Sequence, residues 1–253
     1  MAMRFLLAVF AVLFAGVVQA DKCTARSGEK TAALVELYTS EGCNSCPPAD
    51  RWLSSLGARY RPEVVVPLAL HVDYWDYIGW KDPYAKREFS QRQRRLSQLQ
   101  RAAFVYTPQV LLQGADFREW ADPAFDQRLA SIHAKPARAR LELEIVRATS
   151  DALEVRVNAA VLEPAQAADS GLYVAAYENR LESRVSAGEN SGRLLRHDHV
   201  ALEWLGPYGA GERRVRLPLL PKAKIGDSGV VAFVQNQRTA EVLQTLLLGA
   251  CPG

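Results

Sequence analysis

The chain has 253 residues, of which 49% are hydrophobic and 23% charged, with 16 glycines and 13 prolines. This composition is ordinary for a globular protein, and it excludes a disordered chain, a collagen-like repeat and a small disulfide-stapled scaffold. The formal net charge of +3 is too small to indicate a nucleic-acid-binding protein.

The first twenty residues have the pattern of a secretory signal peptide. A positive start ending at Arg4 precedes an apolar run of 14 residues, 5–18, and small residues then mark a cleavage site after Ala20. A membrane-spanning anchor is the alternative, but it needs about 20 apolar residues. We therefore predict a secreted protein, periplasmic in a Gram-negative bacterium, with no stable membrane insertion after signal cleavage.

Residues 21–136 alternate short apolar runs with helical patterns, which predicts an α/β domain. A proline is tolerated in a first helical turn, so the long central helix is expected to open at Pro83. In chain order the predicted elements are a strand at 32–38, a helix at 49–60, a strand at 64–72, a helix from residue 83, strands at 109–113 and around 117, and a helix at 123–133.

Residues 137–253 show a different period, in which apolar and polar residues alternate one by one. The clearest examples are the runs at 139–145 and 153–159, and turn residues separate these runs from the later ones. Strands with one dry and one wet face are typical of an antiparallel β-sandwich. The predicted fold class is therefore α+β overall, an N-terminal α/β domain followed by a C-terminal antiparallel β-sandwich domain.

Cys43 and Cys46 form a CxxC motif between the first predicted strand and the first predicted helix. Thiols at a helix N-terminus face unpaired N–H groups and the positive end of the dipole, which favours the thiolate. A redox-active dithiol, closed as a Cys43–Cys46 disulfide when oxidised, is one interpretation. A small structural disulfide is the second. A zinc site is poorly supported, since no other CxxC or histidine pair completes four ligands.

Several motifs occur together along the chain: residues 36–50 around the CxxC, 71–76, 79–83, 106–109 and 188–200. With these motifs the chain resembles one family of secreted proteins in the thioredoxin superfamily, catalogued as domain of unknown function 1223. The resemblance implies a thioredoxin-like fold for residues 21–136 and a redox motif, without an established reaction. It also implies that Pro108 is in the cis form and that the Thr107 backbone, beside Cys43, pairs with an extended substrate peptide.

The chain departs from ordinary thioredoxins at two points. Leu37 stands where they have a buried carboxylate, and Asn44-Ser45 stands where they usually have Gly-Pro. The usual proton acceptor for the second thiol is therefore missing, and the redox direction cannot be inferred.

His71 and Asp73, at the end of the second predicted strand, are candidates for this proton transfer. An imidazole has a pKa of about 6.5, which suits a proton acceptor for Cys46. The alternative is a core histidine and an aspartate that caps a turn. Trp75 and Trp80 are candidates for an apolar rim that binds substrate, or equally for a structural aromatic cluster.

The favoured hypothesis is thiol–disulfide exchange with the thiols or disulfides of protein partners, in which Cys43 attacks and Cys46 resolves, without a cofactor or a metal. One alternative is a copper metallochaperone that uses Cys43, Cys46 and His71 as soft ligands. Another is a non-catalytic adaptor in which the CxxC disulfide is structural.

Two further pairs remain. Cys23 and Cys251 stand near the two ends of the chain, and termini of compact proteins often lie close together, so a Cys23–Cys251 disulfide is predicted, with free thiols as the alternative. His197 and His199 lie two residues apart, on one strand face, where they form either a metal pair or part of a polar surface or interdomain contact.

Overall fold

The computed structural model describes residues 23–251, so the predicted signal peptide, residues 1–20, lies outside the described residues. The strands are β1 Thr24–Arg26, β2 Ala33–Thr39, β3 Val65–His71, β4 Gln109–Leu112, β5 Ala115–Asp116, β6 Ala139–Ala148, β7 Ala152–Val161, β8 Ser170–Glu178, β9 Leu181–Arg184, β10 Leu194–His197, β11 Val200–Tyr208, β12 Gly211–Pro218, β13 Ser228–Asn236 and β14 Val242–Gly249. The α-helices are α1 Pro47–Arg59, α2 Arg87–Leu99, α3 Pro123–His133 and α4 Pro164–Ala167. Short 3₁₀ turns occupy Asp73–Ile78 and Ile225–Asp227.

An eight-stranded mixed sheet forms the centre of the molecule. Its strand order is β14-β13-β8-β11-β3-β2-β4-β5. β3 runs parallel to both β2 and β11, while the other neighbouring strands are antiparallel. Strands from the first half of the chain therefore continue directly into strands from the second half.

Helices and a second sheet cover the two faces of the large sheet. α1 and α3 pack on one face, where Leu53 and Leu129 meet Val35 and Leu37 of β2. α2 packs on the opposite face, where Phe89 joins a cluster that reaches β8 and β13. A four-stranded antiparallel sheet, β1-β6-β7-β12, packs on β8, β13 and β14 through alternate apolar residues.

The predicted fold class, a thioredoxin-like α/β domain followed by a separate antiparallel sandwich, is wrong. The predicted order of elements does occur in residues 23–136, but these strands form part of one strand-rich sheet that β11 joins at Val200, opposite Ala69 of β3. β8 and β13 are buried along nearly all their length. Their sequences are continuous apolar runs, which indicate strands covered on both faces rather than the half-wet strands of a sandwich.

Local features agree more closely with the predictions. α3 has the predicted bounds, and a proline occupies the first turn of both α1 and α3. α2 begins at Arg87, four residues after the proline predicted to open it, because the intervening residues form a turn beside the end of β3. Within residues 23–251, no helix combines the length and the apolar character needed to cross a membrane.

Candidate functional site

The Cys43–Cys46 pair is closed as a disulfide at the N-terminus of α1. The two Cα atoms are 5.5 Å apart, and Cys46 is the N-cap residue of the helix. Its carbonyl oxygen accepts the N–H groups of Ala49 and Asp50 at 2.9 and 3.1 Å. The structure thus confirms the predicted pairing, and it places both sulfur atoms where the helix dipole favours a thiolate over a thiol.

Both cysteines are buried. Cys43 is 1% exposed and Cys46 is 0% exposed, whereas Asn44 and Ser45 between them face solvent. The Ser45 hydroxyl lies 3.2 Å from the Cys43 sulfur. A substrate of protein size therefore cannot reach either sulfur atom unless the structure around the motif opens.

The cover over the motif comes from the second half of the chain. We call residues 185–193, which connect β9 to β10, the strap. The side-chain amide of Asn190, fully buried, donates hydrogen bonds to the carbonyl oxygens of Glu41 and Cys43 at 2.8 and 2.9 Å. The Glu189 carboxylate accepts the Asn44 N–H at 3.0 Å. The strap thus fastens the CxxC loop from both sides of Cys43.

Thr107 and Pro108 lie on a loop that Trp75 connects to the CxxC motif. The Thr107–Pro108 peptide bond is cis, as predicted. The Trp75 indole N–H donates to the Thr107 hydroxyl at 2.8 Å, and the Trp75 Cβ lies 3.1 Å from the point where a Cβ on Gly42 would stand. A glycine before Cys43 therefore lets the CxxC loop approach the Cβ of Trp75 closely.

Trp80 is attached to the same site from another side. Its indole N–H donates to the Glu41 carboxylate at 2.8 Å. Trp75 and Trp80 are both half-buried, and each uses its N–H inside the protein. Tyr77, between them in sequence, is 82% exposed and is the freely accessible aromatic of this segment.

His71 ends β3 and pairs with Asp82. Its Nδ1 lies 2.7 Å from the Asp82 carboxylate, which also accepts the N–H groups of Glu41 and Tyr84, each at 2.9 Å. The Nε2 atom of His71 is buried without a hydrogen-bond partner. Burial by itself would lower the pKa of His71, but Asp82, with Asp50 and Glu41, raises it above the ordinary histidine value.

Asp73 is not part of this arrangement. Its carboxylate accepts a hydrogen bond from the Ser90 hydroxyl on α2, and its N–H donates to the same hydroxyl at 3.1 Å. Asp73 therefore fixes the turn that follows β3, as the alternative interpretation of this residue expected.

Three further buried residues complete the site: Glu41 and Asp50, to which the sequence analysis gave no role, and His197, which it named only together with His199. His197 Nε2 lies 3.1 Å from the Glu41 carboxylate, its Nδ1 lies 3.9 Å from Asp50, and its ring contacts the His71 ring at a centroid distance of 4.9 Å. Asp50 stands four residues after Cys46, a spacing that places the two on one helix face and could have indicated it. His197 makes the polar contact between the two halves of the chain that was one of the two interpretations of this residue.

The pKa values of Asp50 and Asp82, the two aspartates of this cluster, are shifted in opposite directions. Burial raises the pKa of Asp50, although His197 and His71 oppose the shift and the Thr39 hydroxyl donates to its carboxylate at 2.7 Å. Burial would also raise the pKa of Asp82, but its contact with His71 holds that pKa below the ordinary value. The environments of the two carboxyl groups thus shift their pKa values apart.

The second predicted disulfide is also present. Cys23 and Cys251 are bonded across a sequence separation of 228, with Cα atoms 5.7 Å apart. Two disulfides are typical of proteins in an oxidising compartment outside the cytosol. Within the described part of the chain, no three His, Cys, Asp or Glu side chains converge as a metal-binding group.

Comparisons with known proteins identify a family and a fold. The model of the family described as "Protein of unknown function (DUF1223)" matches residues 34–235. A search of the curated proteins found no match. A crystal structure of a protein from Agrobacterium tumefaciens is 23% identical, with a TM-score of 0.63 over 90% of this chain and 98% of that chain. HBP35 of Porphyromonas gingivalis is 17% identical, with a TM-score of 0.62 over 88% of this chain and 76% of that chain.

Proposed function

We propose that this chain, which belongs to the family described as Protein of unknown function (DUF1223), exchanges disulfides with protein partners through Cys43 and Cys46. The observation that supports the proposal best is the position of the Cys43–Cys46 disulfide, at the N-terminus of α1 and beside a buried cluster of acids and histidines. A disulfide that only staples a loop needs no such cluster. Perturbed titratable groups beside a thiol are what exchange chemistry requires.

In the proposed reaction, the Cys43 thiolate attacks a disulfide of the partner and forms a mixed disulfide. Cys46 then attacks the sulfur of Cys43, which closes the Cys43–Cys46 bond and releases the partner as a dithiol. The proton of the Cys46 thiol passes into the buried cluster that includes His71. The same steps in reverse oxidise a partner dithiol.

Partner peptides are proposed to bind beside Thr107 and Pro108, on the side of the motif that Trp75 borders. The tip residues Asn44 and Ser45 are exposed there and offer the first contact. Secretion is part of this proposal, because a dithiol of this kind meets protein disulfides outside the cytosol. The partner is thus a thiol or disulfide of another protein, and no nucleic acid or cofactor takes part.

A structural role for the disulfide is the second candidate, and the burial of both sulfur atoms favours it. The reduction potential separates the two functions. A potential below about −300 mV is typical of a structural disulfide, whereas a higher value indicates an exchange-competent one. The copper hypothesis has no comparable support, since no metal-binding trio occurs among residues 23–251.

The proposal is tested by trapping. Cys46→Ser leaves the mixed disulfide without a resolving thiol, so the reduced variant should accumulate covalent complexes with a scrambled, disulfide-bonded protein substrate. Cys43→Ser should accumulate none, and it serves as the matched control. Non-reducing electrophoresis followed by mass spectrometry measures the covalent complexes that each variant forms. If neither variant forms complexes and wild type does not reduce insulin, the exchange function is refuted.

A further inference from the structure

The geometry points to Asp50 as the group that accepts the proton of the Cys46 thiol, and to the cavity that Asp50 and His197 both line as the route of that proton to solvent. This inference rests on the proposed function. In ordinary thioredoxins a buried carboxylate at the position of Leu37 accepts the proton of the second thiol. Here the Asp50 carboxylate would accept it from a different position in the chain. Three features of the structure support it.

The first feature is the helix geometry. Cys46 and Asp50 are joined by an i to i+4 hydrogen bond, from the Asp50 N–H to the Cys46 carbonyl oxygen at 3.1 Å. Residues with this spacing have Cβ atoms about 5–6 Å apart on one face of a helix. The Asp50 carboxyl is therefore the acidic group that α1 places on the same face as the Cys46 side chain.

The second feature is the way the carboxyl is held. One oxygen of Asp50 accepts the Thr39 hydroxyl at 2.7 Å, and the other lies 3.9 Å from His197 Nδ1. Asp50 is only 7% exposed. Burial raises its pKa, which improves it as a proton acceptor for a thiol. The other charged groups that face it are His71 and Asp82, and Glu41 contacts it through His197.

The third feature is a route to water. A cavity of about 200 Å³ opens beside the helix, and Pro47, Asp50, Leu195 and His197 are among the residues that line it. A proton accepted by Asp50 can leave through this cavity. His71, by contrast, is fully buried and its Nδ1 is engaged by Asp82.

The step balances as follows. In the mixed disulfide, Cys46–SH gives its proton to the Asp50 carboxylate. The Cys46 sulfur uses the electron pair left behind to form a bond with the Cys43 sulfur, and the bond between Cys43 and the partner sulfur breaks. The partner sulfur leaves with that electron pair as a thiolate and takes a proton from water. Asp50 returns its proton to water through the cavity.

The experiment follows the resolution step in the full chain. Reduced protein is mixed with oxidised glutathione at several pH values, quenched with acid and digested, and mass spectrometry follows the glutathione adduct on Cys43 separately from Cys23 and Cys251. We expect Asp50→Asn to resolve the adduct on the order of 100-fold more slowly near pH 7. The difference should vanish near pH 9, where Cys46 ionises unaided because a free thiol has a pKa of about 8.5.

Two further variants keep the test sharp. Thr39→Val removes a hydrogen bond that favours the Asp50 carboxylate, so the pH at which resolution reaches half its plateau should move upward while the plateau stays. Asp126→Asn, the same chemical change at an exposed site on α3, should behave as wild type. Circular dichroism verifies that each variant is folded.

The outcomes are distinguishable. An Asp50→Asn profile that matches wild type at every pH, or one that is slower by the same factor at every pH, overturns the role of Asp50. If the pH dependence of resolution is lost in His71→Gln and kept in Asp50→Asn, the proton acceptor is His71 and not Asp50. Wild type that resolves glutathione in the expected manner but never reduces a protein disulfide refutes the proposed function alone. Wild type that leaves the glutathione adduct unresolved overturns both.

Discussion

Removing the Asn190 side chain should accelerate reduction of the Cys43–Cys46 disulfide. The amide donates to the carbonyl oxygens of Glu41 and Cys43, and these bonds hold the strap over two buried sulfur atoms. A reductant must wait for the strap to open, so the cost of opening enters the rate. Each net hydrogen bond contributes about 1 kcal/mol, and two contribute about 2 kcal/mol. Since about 1.4 kcal/mol corresponds to a factor of ten, Asn190→Ala should be reduced about 30-fold faster.

The assay is pseudo-first-order reduction by dithiothreitol, with timed alkylation and mass spectrometry of the peptide that contains Cys43 and Cys46. Ser191→Ala is the matched control, because the Ser191 hydroxyl bonds only within the strap, to the Ser186 carbonyl at 3.1 Å. The thermal midpoint of each variant separates strap opening from general unfolding. A rate in Asn190→Ala equal to wild type, or an equal gain in Ser191→Ala, would refute the reasoning.

Two further predictions concern stability. Burial lowers the pKa of His199 to about 4, and its Nδ1 has no partner, so only the unfolded chain binds this proton between pH 6.5 and 4. As the pH falls over that range, the free energy of unfolding should fall by up to about 3 kcal/mol. Urea unfolding should show a smaller loss in His199→Gln, and equal losses in the variant and wild type would contradict the prediction. The Cys23–Cys251 bond closes a loop with a sequence separation of 228, so Cys251→Ser should lower the free energy of unfolding by up to roughly 5 kcal/mol. A urea midpoint equal to that of wild type would contradict this prediction.

Local structure was predictable because it depends on nearby residues. The period of apolar residues and an early proline were sufficient to predict α3 over residues 123–133. The same reasoning does not reach the arginines of α2, since arginine is a residue type that is mostly exposed. Arg92 is in fact buried, bonded to Glu36 at 2.6 Å and stacked 4.6 Å from the Trp204 ring. The strands that bury Arg92 come from distant parts of the chain, and the pattern of residues within one helix does not indicate which strands will cover it.

The fold class failed for the same physical reason. A change of period near residue 136 indicates a change of local pattern, but it does not show where a sheet ends. β3 is buried along its whole length, so it needs a neighbour on each side, and β2 supplies only one. β11 supplies the other, from about 130 residues later in the chain.

In the candidate site, too, the features that depend on nearby residues were predictable, and the contacts between distant residues were not. Cys43, Cys46 and the cis bond before Pro108 were found from motifs, and both disulfides were found from spacing and from chain ends. The contacts of the strap were not, because Asn190 lies 147 residues from Cys43. No period or motif in one sequence connects two such positions.

The β9–β10 hairpin is therefore the part of the second half that bears on the chemistry. Its connecting strap carries Asn190, and its last residue is His197. A fragment that stops at residue 136 would retain the CxxC motif but lose the cover, the histidine beside Asp50 and the strand that completes the edge of β3. Its cysteines would stand in a different environment from those of the full chain. The environment of the Cys43–Cys46 pair is thus a property of the joined sheet, and the proposed exchange has to be measured on the whole protein.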